Sequence, residues 1–488
     1  MGKPPFRKPP YKHQMREFKR HRNDPARALL WTMRTGKTKA CIDLACHWRH
    51  MGRIDGVLVI APNGVHLNWA LRELPEHHWF RFKYHALPYV APGEQPKKWA
   101  GKFKKFLRRK DLTWFCIGSD SIRWSAAKKH IAAFIKRKRF LLIVDESDDF
   151  RTPGSSRTKV ITQIARHKNC VARRIITGTV VTNSPLAAYS QFNLLEPGAL
   201  GFNDYETFKR RYAKIELRKM RVGGRNRRFY QVSGYTRLRE LRRRMSKWSS
   251  VVLREDVKDM PDLIKSEIFV EPSKEQIRAY RQIVKQSLIE IDQGMVSIGE
   301  NTIRWLKLQQ ALSGFLVDEY GDFHILKGRN PKLEALSREL WLSPGKTVVW
   351  CRFRKDIELV RELLKKDGYR FVEYHGAVPK KKRHAAIQKF LEQPEIDVLL
   401  GQPQCGGRGV PMHSANHIIW YSHTFDAIIR NQANERATKI KGQNVLITDL
   451  VAPGSIEEFI LDKVKTKESV AEYLTGYRMK KVLEEISI

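Results

Sequence analysis

The clearest candidate for chemistry is a glycine, a lysine and a threonine in succession. Gly36, Lys37 and Thr38 follow the apolar segment 28–31 and precede the helical pattern of residues 40–48. At a turn from strand to helix, a glycine lets the backbone approach a ligand closely, and the backbone amides hold phosphate oxygens together with the helix N-terminus. Lys37 can then reach the β- and γ-phosphates, and Thr38 can ligate Mg²⁺. The pattern predicts ATP and Mg²⁺ as cofactors.

A second candidate is a pair of carboxylates at the end of an apolar strand. The apolar run 140–144 leads directly into Asp145 and Glu146. Asp145 would hold Mg²⁺, and Glu146 would orient and polarise the attacking water. A metal-dependent nuclease is another interpretation of Asp145, Glu146, Asp148 and Asp149, but it leaves the lysine of the glycine-rich turn unexplained. The two features together therefore predict a site that hydrolyses ATP.

These candidate residues belong to a chain in which short apolar runs alternate with helical patterns. Continuous apolar runs that each lead into a polar loop are typical of a parallel sheet covered on both faces. The predicted strands are 28–31, 57–60, 112–117, 140–144 and 174–177 in the N-terminal half, and 347–351, 371–374, 397–400, 417–421 and 445–450 in the C-terminal half. The pattern predicts an α/β fold with two parallel-sheet lobes.

Between the two halves the pattern becomes helical and basic. Residues 275–291 and 302–312 have helical periodicity, and no comparable strand alternation is visible around them. We therefore predict four segments: an ATP-binding lobe over residues 1–199, a basic helical insertion over 200–330, a second lobe over 331–463 and a helical tail over 464–488.

Composition limits the class of protein and its partners. The chain has 488 residues, with 92 Lys and Arg against 51 Asp and Glu, and its apolar content of 42% excludes wholesale disorder. Residues 101–140 contain 13 basic and two acidic residues, and residues 209–254 contain 17 basic and two acidic residues. Solvated protein surfaces normally mix both signs of charge. We therefore favour contact between these segments and a polyanion.

Two further classes are disfavoured by the sequence. No apolar run approaches the roughly 18 to 20 residues that a membrane-spanning helix requires. The six cysteines are scattered and form no Cys-x-x-Cys pair, which argues against a zinc site and for a reducing compartment. The sequence therefore predicts no membrane partner, no zinc and a cytoplasmic location.

The order of motifs resembles that of the Swi2/Snf2 branch of the superfamily 2 nucleic-acid-dependent ATPases. The resemblance extends from residue 10 to residue 460. Besides the two features above, it is carried by Tyr11-Lys12-His13-Gln14, Val59-Ile60-Ala61-Pro62 with Asn68-Trp69, Thr177-Gly178-Thr179, Val348-Val349-Trp350-Cys351-Arg352-Phe353, Tyr374-His375-Gly376, Gly406-Gly407-Arg408-Gly409-Val410 and Gln432-Ala433-Asn434-Glu435-Arg436. It implies two RecA-like lobes, and its compactness is similar to that of motors encoded by bacteriophages.

The resemblance also implies a role for each residue that matches a family motif. The implied nucleotide-binding residues are Gln14, Arg34, Thr35, Gly36, Lys37, Thr38, Asp145, Gly407, Gly409, Arg436 and Lys439, of which Thr38 and Asp145 hold Mg²⁺. The implied catalytic residues are Lys37, Glu146 and Arg436, with Arg436 reaching the γ-phosphate from the second lobe. The implied DNA-contacting residues are Pro62, Asn68, Thr177, Gly178, Thr179, Arg352 and Gly376. The charge pattern adds Arg227, Arg228, Arg242, Arg243 and Arg244 to the predicted DNA contacts.

Besides Val180, which replaces a usual proline, three positions depart from the family pattern. Arg34 stands where the family usually has glycine, and Asp148 stands where a histidine usually links the ATP site to the other motifs. Lys439 occupies the position of a second arginine, and lysine lacks the planar fork of arginine. These departures motivate one alternative function, a basic DNA-binding protein whose ATPase has decayed.

The resemblance implies an ATP-dependent translocase on double-stranded DNA, with remodelling of forks and junctions in recombination, repair or replication as the expected role. Besides the decayed ATPase, one alternative is a DNA helicase that separates strands. The other is an RNA helicase, which is disfavoured because the acidic box and the glycine-rich motifs resemble the Swi2/Snf2 pattern. The basic surplus then has an explanation, because a motor makes and releases many phosphate contacts as it moves.

Overall fold

The computed structural model of the chain describes residues 6–95, 98–178, 184–222, 225–257, 261–292, 298–406, 412–438, 442–466 and 482–484. The chain divides into two compact units, Met1–Lys258 and Asp259–Ile488. The strands of the first unit are β1 Ala26–Trp31, β2 Gly56–Ala61, β3 Tyr84–Pro88, β4 Leu112–Gly118, β5 Phe140–Asp145, β6 Cys170–Thr177, β7 Ala213–Val222, β8 Arg225–Tyr235 and β9 Ser249–Val252. Its helices are α1 Lys12–His21, α2 Lys37–His50, α3 Val65–Asn68, α4 Leu74–His77, α5 Trp99–Arg108, α6 Ser125–Arg137, α7 Ser156–Ala165, α8 Ala187–Leu195, α9 Tyr205–Tyr212 and α10 Leu238–Ser246.

The second unit has the same alternation of strands and helices. Its strands are β10 Leu263–Phe269, β11 Phe315–Val317, β12 Phe323–Ile325, β13 Thr347–Trp350, β14 Phe371–Tyr374, β15 Val398–Gly401, β16 His417–Trp420 and β17 Val445–Val451. Its helices are α11 Lys274–Asp292, α12 Ile298–Ser313, α13 Pro331–Trp341, α14 Arg354–Lys366, α15 Lys380–Glu392, α16 Pro403–Gly406, α17 Ala427–Glu435 and α18 Ile456–Thr466. None of the helices in the described ranges is both long and apolar enough to cross a membrane.

A seven-stranded sheet forms the centre of the first unit. Its strand order is β3-β4-β2-β5-β6-β1-β9, and its paired strands run parallel. Every residue of β1, β2, β4 and β5 is buried, which explains why these strands are continuous apolar runs in the sequence. Helices α5 and α6 add Phe106, Ile131 and Phe134 to the core against Phe115. The carboxyl ends of β5, β6 and β1 therefore lie side by side on one edge of a rigid sheet.

A six-stranded sheet forms the centre of the second unit. Its order is β10-β17-β16-β13-β15-β14, again with parallel pairing. One apolar cluster contains Leu336, Val360 and Leu400, and a second contains Ile387 and Ile418. A third cluster surrounds Trp305 of α12. The prediction of two parallel-sheet lobes is confirmed, as are the predicted strands.

The segment predicted as a helical insertion, residues 200–330, needs correction. Helices α11 and α12 match the predicted periodicity, but the segment also contains the hairpin β7–β8, the edge strand β9 of the first sheet and the edge strand β10 of the second. Alternation in β7 is hidden by charge, because Lys214 and Glu216 flank Ile215. The sequence pair Gly223-Gly224, a common hairpin signal that lies outside the described residues, could have revealed it. The four functional segments stay a prediction, and most of the predicted tail, 464–488, also lies outside the described residues.

Candidate nucleotide-binding site and DNA-contacting surface

The phosphate loop lies between β1 and α2, as the sequence predicts. Gly36 has a φ of +80°, in the left-handed region that favours glycine, and a Cβ atom there would lie 2.1 Å from Gln14 Nε2. Glycine is therefore required both by the backbone and by the close approach of Gln14. Thr35 is fully buried, and its hydroxyl donates a hydrogen bond to the carbonyl of Thr32 at 2.8 Å. Thr38 lies in the first turn of α2.

Lys37 begins α2 and extends back over the end of β1. Its Nζ donates hydrogen bonds to the carbonyls of Trp31 at 2.8 Å and Thr32 at 3.1 Å. An ammonium bound to neutral carbonyl oxygens can exchange them for phosphate oxygens, which carry more negative charge. The position of Lys37 therefore fits its predicted role at the phosphates.

Arg34 adopts the backbone conformation of the glycine that the family usually has at its position. Its φ is +64°, so the loop keeps a left-handed residue without the amino acid that adopts it most easily. The replacement of the usual glycine by Arg34 therefore has a structural consequence. It places a residue with a side chain at a strained backbone position of the phosphate loop.

Gln14 and His13 of α1 contact the phosphate loop. Gln14 Nε2 donates to the carbonyl of Gly36 at 2.9 Å, and Gln14 Oε1 accepts from the backbone N–H of Tyr11 at 2.8 Å. The ring Nε2 of His13 lies 2.7 Å from the carbonyl of Thr35, and burial lowers the pKa of this histidine. The structure thus places Gln14 beside the loop, while its role as an adenine ligand stays a prediction.

The acidic box follows β5, as expected. Asp145 is the last residue of the strand and is 7% exposed, and its Oδ2 accepts a hydrogen bond from Trp69 Nε1 at 2.8 Å. Glu146 has a φ of +52° and precedes a single 3₁₀ turn, Ser147–Phe150. Glu146 therefore adopts a left-handed backbone conformation directly after the strand.

The Thr-Gly segment after β6 contacts both the box and the loop. Thr177 Oγ1 donates a hydrogen bond to Asp148 Oδ1 at 2.6 Å. A Cβ atom on Gly178 would lie 2.7 Å from Met33 Cγ and 3.7 Å from Lys37 Nζ. Thus Asp148, which replaces the family's histidine, still joins the box to this segment, and the glycine is required for its close approach to the phosphate loop. The third residue of the motif, Thr179, lies outside the described residues.

The residues of the first unit fit ATP and Mg²⁺ by their chemistry. Gly36, in a left-handed conformation, lies at the N-terminus of a 14-residue helix, and Lys37 adds an ammonium. Such a combination binds a polyphosphate. The carboxylate of Asp145 and the hydroxyl of Thr38 are oxygen donors of the kind that Mg²⁺ prefers. Within the described ranges, Lys37, Asp145 and Thr177 converge at one sheet edge.

The predicted residues of the second unit have mixed outcomes. Arg352 donates to the carbonyl of His423 at 3.1 Å, its guanidinium lies 4.1 Å from the ring centroid of Phe425, and burial lowers its pKa to about 10. Gly376 is exposed after β14. Arg436 follows α17 and is 9% exposed. The predicted Gly407, Gly409 and Lys439 lie outside the described residues.

The predicted DNA contacts of the first unit also divide into two groups. Arg242 and Arg243 are exposed on α10, and Asn68 is half-buried in α3. Arg244 donates to Glu240 at 3.1 Å and to the carbonyl of Leu200 at 2.8 Å, and its role as a DNA contact stays a prediction. The predicted Pro62, directly after β2, is buried.

The hairpin β7–β8 contains Arg227 and Arg228. Its strands pair antiparallel and join neither of the two large sheets. In its register Arg228 lies opposite Lys219, and Arg227 opposite Met220. The side chains of both arginines are outside the described part of the chain, so their role as DNA contacts stays a prediction.

A parallel-sheet unit with a phosphate loop, an acidic box and a Thr-Gly segment at one edge, followed by a second parallel-sheet unit, defines a helicase-like ATPase architecture. Family comparison agrees: the SNF2-related domain matches residues 18–315, and the helicase conserved C-terminal domain matches residues 331–441. The chain therefore belongs to the SNF2-related family.

Similar proteins include ATP-dependent helicases and TATA-binding protein-associated factors. The chain is 23% identical to an uncharacterized ATP-dependent helicase of Mycoplasma genitalium, over 85% of this chain and 37% of that protein. It is 23% identical to the TATA-binding protein-associated factor MOT1 of Saccharomyces cerevisiae, over 71% of this chain and 21% of that protein. The chain thus spans less than two-fifths of the length of these relatives. A solved SWI2/SNF2 ATPase core of Sulfolobus solfataricus in complex with dsDNA aligns over 99% of this chain and 96% of that chain, with 19% identity and a TM-score of 0.41.

Proposed function

We propose that the chain is a DNA-dependent ATPase that couples ATP hydrolysis to movement along double-stranded DNA. The observation that carries the proposal is the convergence of the phosphate loop, the acidic box and Thr177-Gly178 at one sheet edge. Phosphoryl transfer requires preorganised positive groups on the phosphates and a carboxylate that positions water. These elements supply both kinds of group, and membership in the SNF2-related family supports the same activity.

In the proposed reaction, Lys37 exchanges its two carbonyl acceptors for phosphate oxygens, and Glu146 orients the attacking water. When bound, Mg²⁺ supplies neutralisation of the charge that develops on the phosphates. Thr38 and Asp145 would hold this ion. Arg436 of the second unit remains the predicted source of additional positive charge at the γ-phosphate.

Coupling between DNA and hydrolysis is proposed to pass through the bond between Thr177 and Asp148. Thr177 belongs to a motif that is predicted to contact DNA, while Asp148 belongs to the acidic box. The hydroxyl–carboxylate bond of 2.6 Å joins the two directly. A hydrogen bond to a charged group contributes roughly 1.5 to 3 kcal/mol. Movement of the Thr-Gly segment would therefore change the position of the acidic box.

The DNA partner is supported by charge and exposure. Residues 209–254 contain 17 basic and two acidic residues, and this segment presents Arg242 and Arg243 on an exposed helix face. Such cations are suited to phosphate contacts, which position a protein on DNA without reading its sequence. Action on forks or junctions, a role in recombination, repair or replication, and a place in the cytoplasm of a phage-infected bacterium are further parts of the proposal. They rest on the motif resemblance.

The experiment that tests the proposal measures ATPase rates of the full chain with no nucleic acid, single-stranded DNA, duplex DNA, forked DNA and RNA. Lys37→Ala serves as the blank. Stimulation mainly by duplex or forked DNA supports a duplex translocase. Equal stimulation by single strands favours a strand-separating helicase, and stimulation by RNA favours an RNA helicase. Tight DNA binding with no stimulated turnover would favour the decayed ATPase, for which the strained Arg34 is the specific observation.

A further inference from the structure

The carboxylate of Asp145 is held by an indole from another part of the first unit. Trp69 is fully buried, and its Nε1–H donates to Asp145 Oδ2 at 2.8 Å. The ring of Trp69 lies beside that of Trp114, with centroids 6.5 Å apart. A buried indole N–H usually finds an acceptor, and a backbone carbonyl or a neutral side chain would suffice for packing alone. This indole instead spends its single donor on the predicted metal ligand.

Trp69 also begins an unusual turn of helix. The segment Trp69–Glu73 forms a π-helical turn between α3 and α4. Such turns are rare, and where they occur inside helices they are frequently found at functional sites. The turn directly follows Asn68, which is a predicted DNA contact.

We propose that Trp69 is a positioning residue for Asp145, and that it links the segment Pro62–Asn68 to the metal site. Carboxylates that bind metal ions are themselves oriented by hydrogen bonds, and loss of such a partner typically costs about 10- to 100-fold in metal affinity or activity. The indole N–H of Trp69 orients the Asp145 carboxylate because it donates a hydrogen bond to one of the two carboxylate oxygens. Movement of the indole therefore moves the ligand.

The link to DNA rests on the proposed function, whereas the positioning of Asp145 rests on the contact alone. Asn68 and Trp69 are adjacent in the chain, so no intermediate element is needed between a DNA phosphate at Asn68 and the indole. This route is separate from the one through Thr177 and Asp148, since it enters the acidic box at a different carboxylate. A motor with both routes senses DNA at two points of its ATP site.

A spectroscopic test does not depend on turnover. The full chain is labelled with ¹⁵N-tryptophan, and its indole signals are followed as Mn²⁺ and a non-hydrolysable ATP analogue are added, with Trp69→Phe used for assignment. The signal of Trp69 should lose most of its intensity by paramagnetic broadening. Trp48, which lies ten residues after Thr38 on α2 and thus about 15 Å along the helix, should be broadened far less. Subsequent addition of duplex DNA should shift the signal of Trp69 when Mg²⁺ replaces Mn²⁺.

The outcomes separate the two proposals. Broadening of Trp48 that equals or exceeds that of Trp69 overturns this inference while leaving an ATP site intact. An unmoved Trp69 signal on DNA addition, in a protein whose ATPase is stimulated by DNA, overturns the link to DNA alone. If no indole responds to Mn²⁺ with the analogue, both the inference and the proposed ATPase fail.

A matched pair of variants provides the second test. Trp69→Phe and Trp114→Phe each shrink a fully buried ring, but no described residue accepts the indole N–H of Trp114. Trp69→Phe should raise the Mg²⁺ concentration for half-maximal ATPase about 10- to 100-fold. Trp114→Phe should leave it unchanged. Trp69→His, which keeps a ring N–H, should recover part of the loss. Equal Mg²⁺ dependence in the two phenylalanine variants would show that Trp69 only packs.

Discussion

Two buried lysines, one in each unit, differ in the groups that they contact. In the first unit, the ammonium of Lys37 donates to the main-chain carbonyls of Trp31 and Thr32. In the second unit, the ammonium of Lys332 contacts the carboxylate of Glu457, and these side chains are 2% and 0% exposed. Neutral carbonyls can be exchanged for a ligand's oxygens, whereas a buried carboxylate cannot leave its partner without a large penalty.

Buried charge therefore has two roles in this protein, binding in the first unit and structural in the second. The second unit contains another such pair, Arg430 with Asp449, which are 6% and 8% exposed. These ion pairs join α13 to α18 and α17 to β17. In the first unit, the ammonium of Lys37 donates to carbonyl dipoles at the edge of the sheet, and it can exchange them for the oxygens of a ligand.

The largest effect is expected in the second unit. Lys332→Met should lower the free energy of unfolding by about 3 to 5 kcal/mol, because Glu457 is left buried without its partner. Chemical denaturation of the full chain measures this. Lys365→Met is the control, since its contact with Glu362 is mostly exposed and should contribute less than about 1 kcal/mol. Equal losses in the two variants would mean that burial does not distinguish these pairs.

The corresponding change in the first unit should affect turnover and leave folding nearly unchanged. Lys37→Ala should lower DNA-stimulated ATPase by roughly 10²- to 10³-fold, because a preorganised charge on the phosphates is lost. DNA affinity should stay close to that of the unaltered chain. Steady-state ATPase and a binding titration provide the two measurements. Unchanged turnover would refute the assignment of the phosphate loop.

The same contrast can be tested inside one helix. Arg242→Gln with Arg243→Gln should reduce the salt dependence of DNA binding, with a change of about 0.9 in the log–log slope for each lost phosphate contact. Arg244→Gln is the matched control, since Arg244 already bonds to Glu240 and the carbonyl of Leu200. Binding titrations across a salt series measure the slope. If the slope falls equally in both variants, the internal contacts of Arg244 do not keep it from DNA.

The smallest effect concerns backbone strain at Arg34. Because its φ is +64°, Arg34→Gly should be more stable than Arg34→Ala by about 1 kcal/mol. At an ordinary position the order is reversed, since glycine gains more freedom in the unfolded chain. Thermal or chemical unfolding of the two variants decides between these orders. A more stable alanine variant would show that the phosphate loop is not strained.

Sequence patterns predicted most of the fold because buried parallel strands leave a simple trace. Strands such as β2 and β5 are apolar along their whole length, so periodicity and turn residues suffice to find them. Strands β7 and β10 escaped prediction because edge and hairpin strands are exposed. In these strands apolar residues alternate with charged residues, and such charged residues are also typical of helices.

The candidate site was predictable in its residues and not in its contacts. Lys37, Asp145 and Thr177 follow from motif order, but the partners of Asp145 and Asp148 depend on chain segments far apart in sequence. Trp69 was part of a recognised motif, yet its role as donor to Asp145 could not be seen without coordinates. Nor could the internal bonding of Arg244, since it resembles its two exposed neighbours in every local property.

The pairing of β9 with β1 has a mechanical consequence. Helix α10 carries Arg242 and Arg243, and only two residues separate its end from the start of β9. Strand β9 in turn pairs with β1 from Ala28 to Trp31. A hydrogen bond of 2.8 Å from the backbone N–H of Thr32 to the carbonyl of Val252 extends this pairing into the phosphate loop. A force applied to α10 is therefore transmitted through β9 to β1, the strand that leads into the phosphate loop. No long flexible segment lies between α10 and β9. If the chain moves along DNA as proposed, the stiffness of this connection determines how much of each conformational step at the nucleotide is transmitted to the DNA.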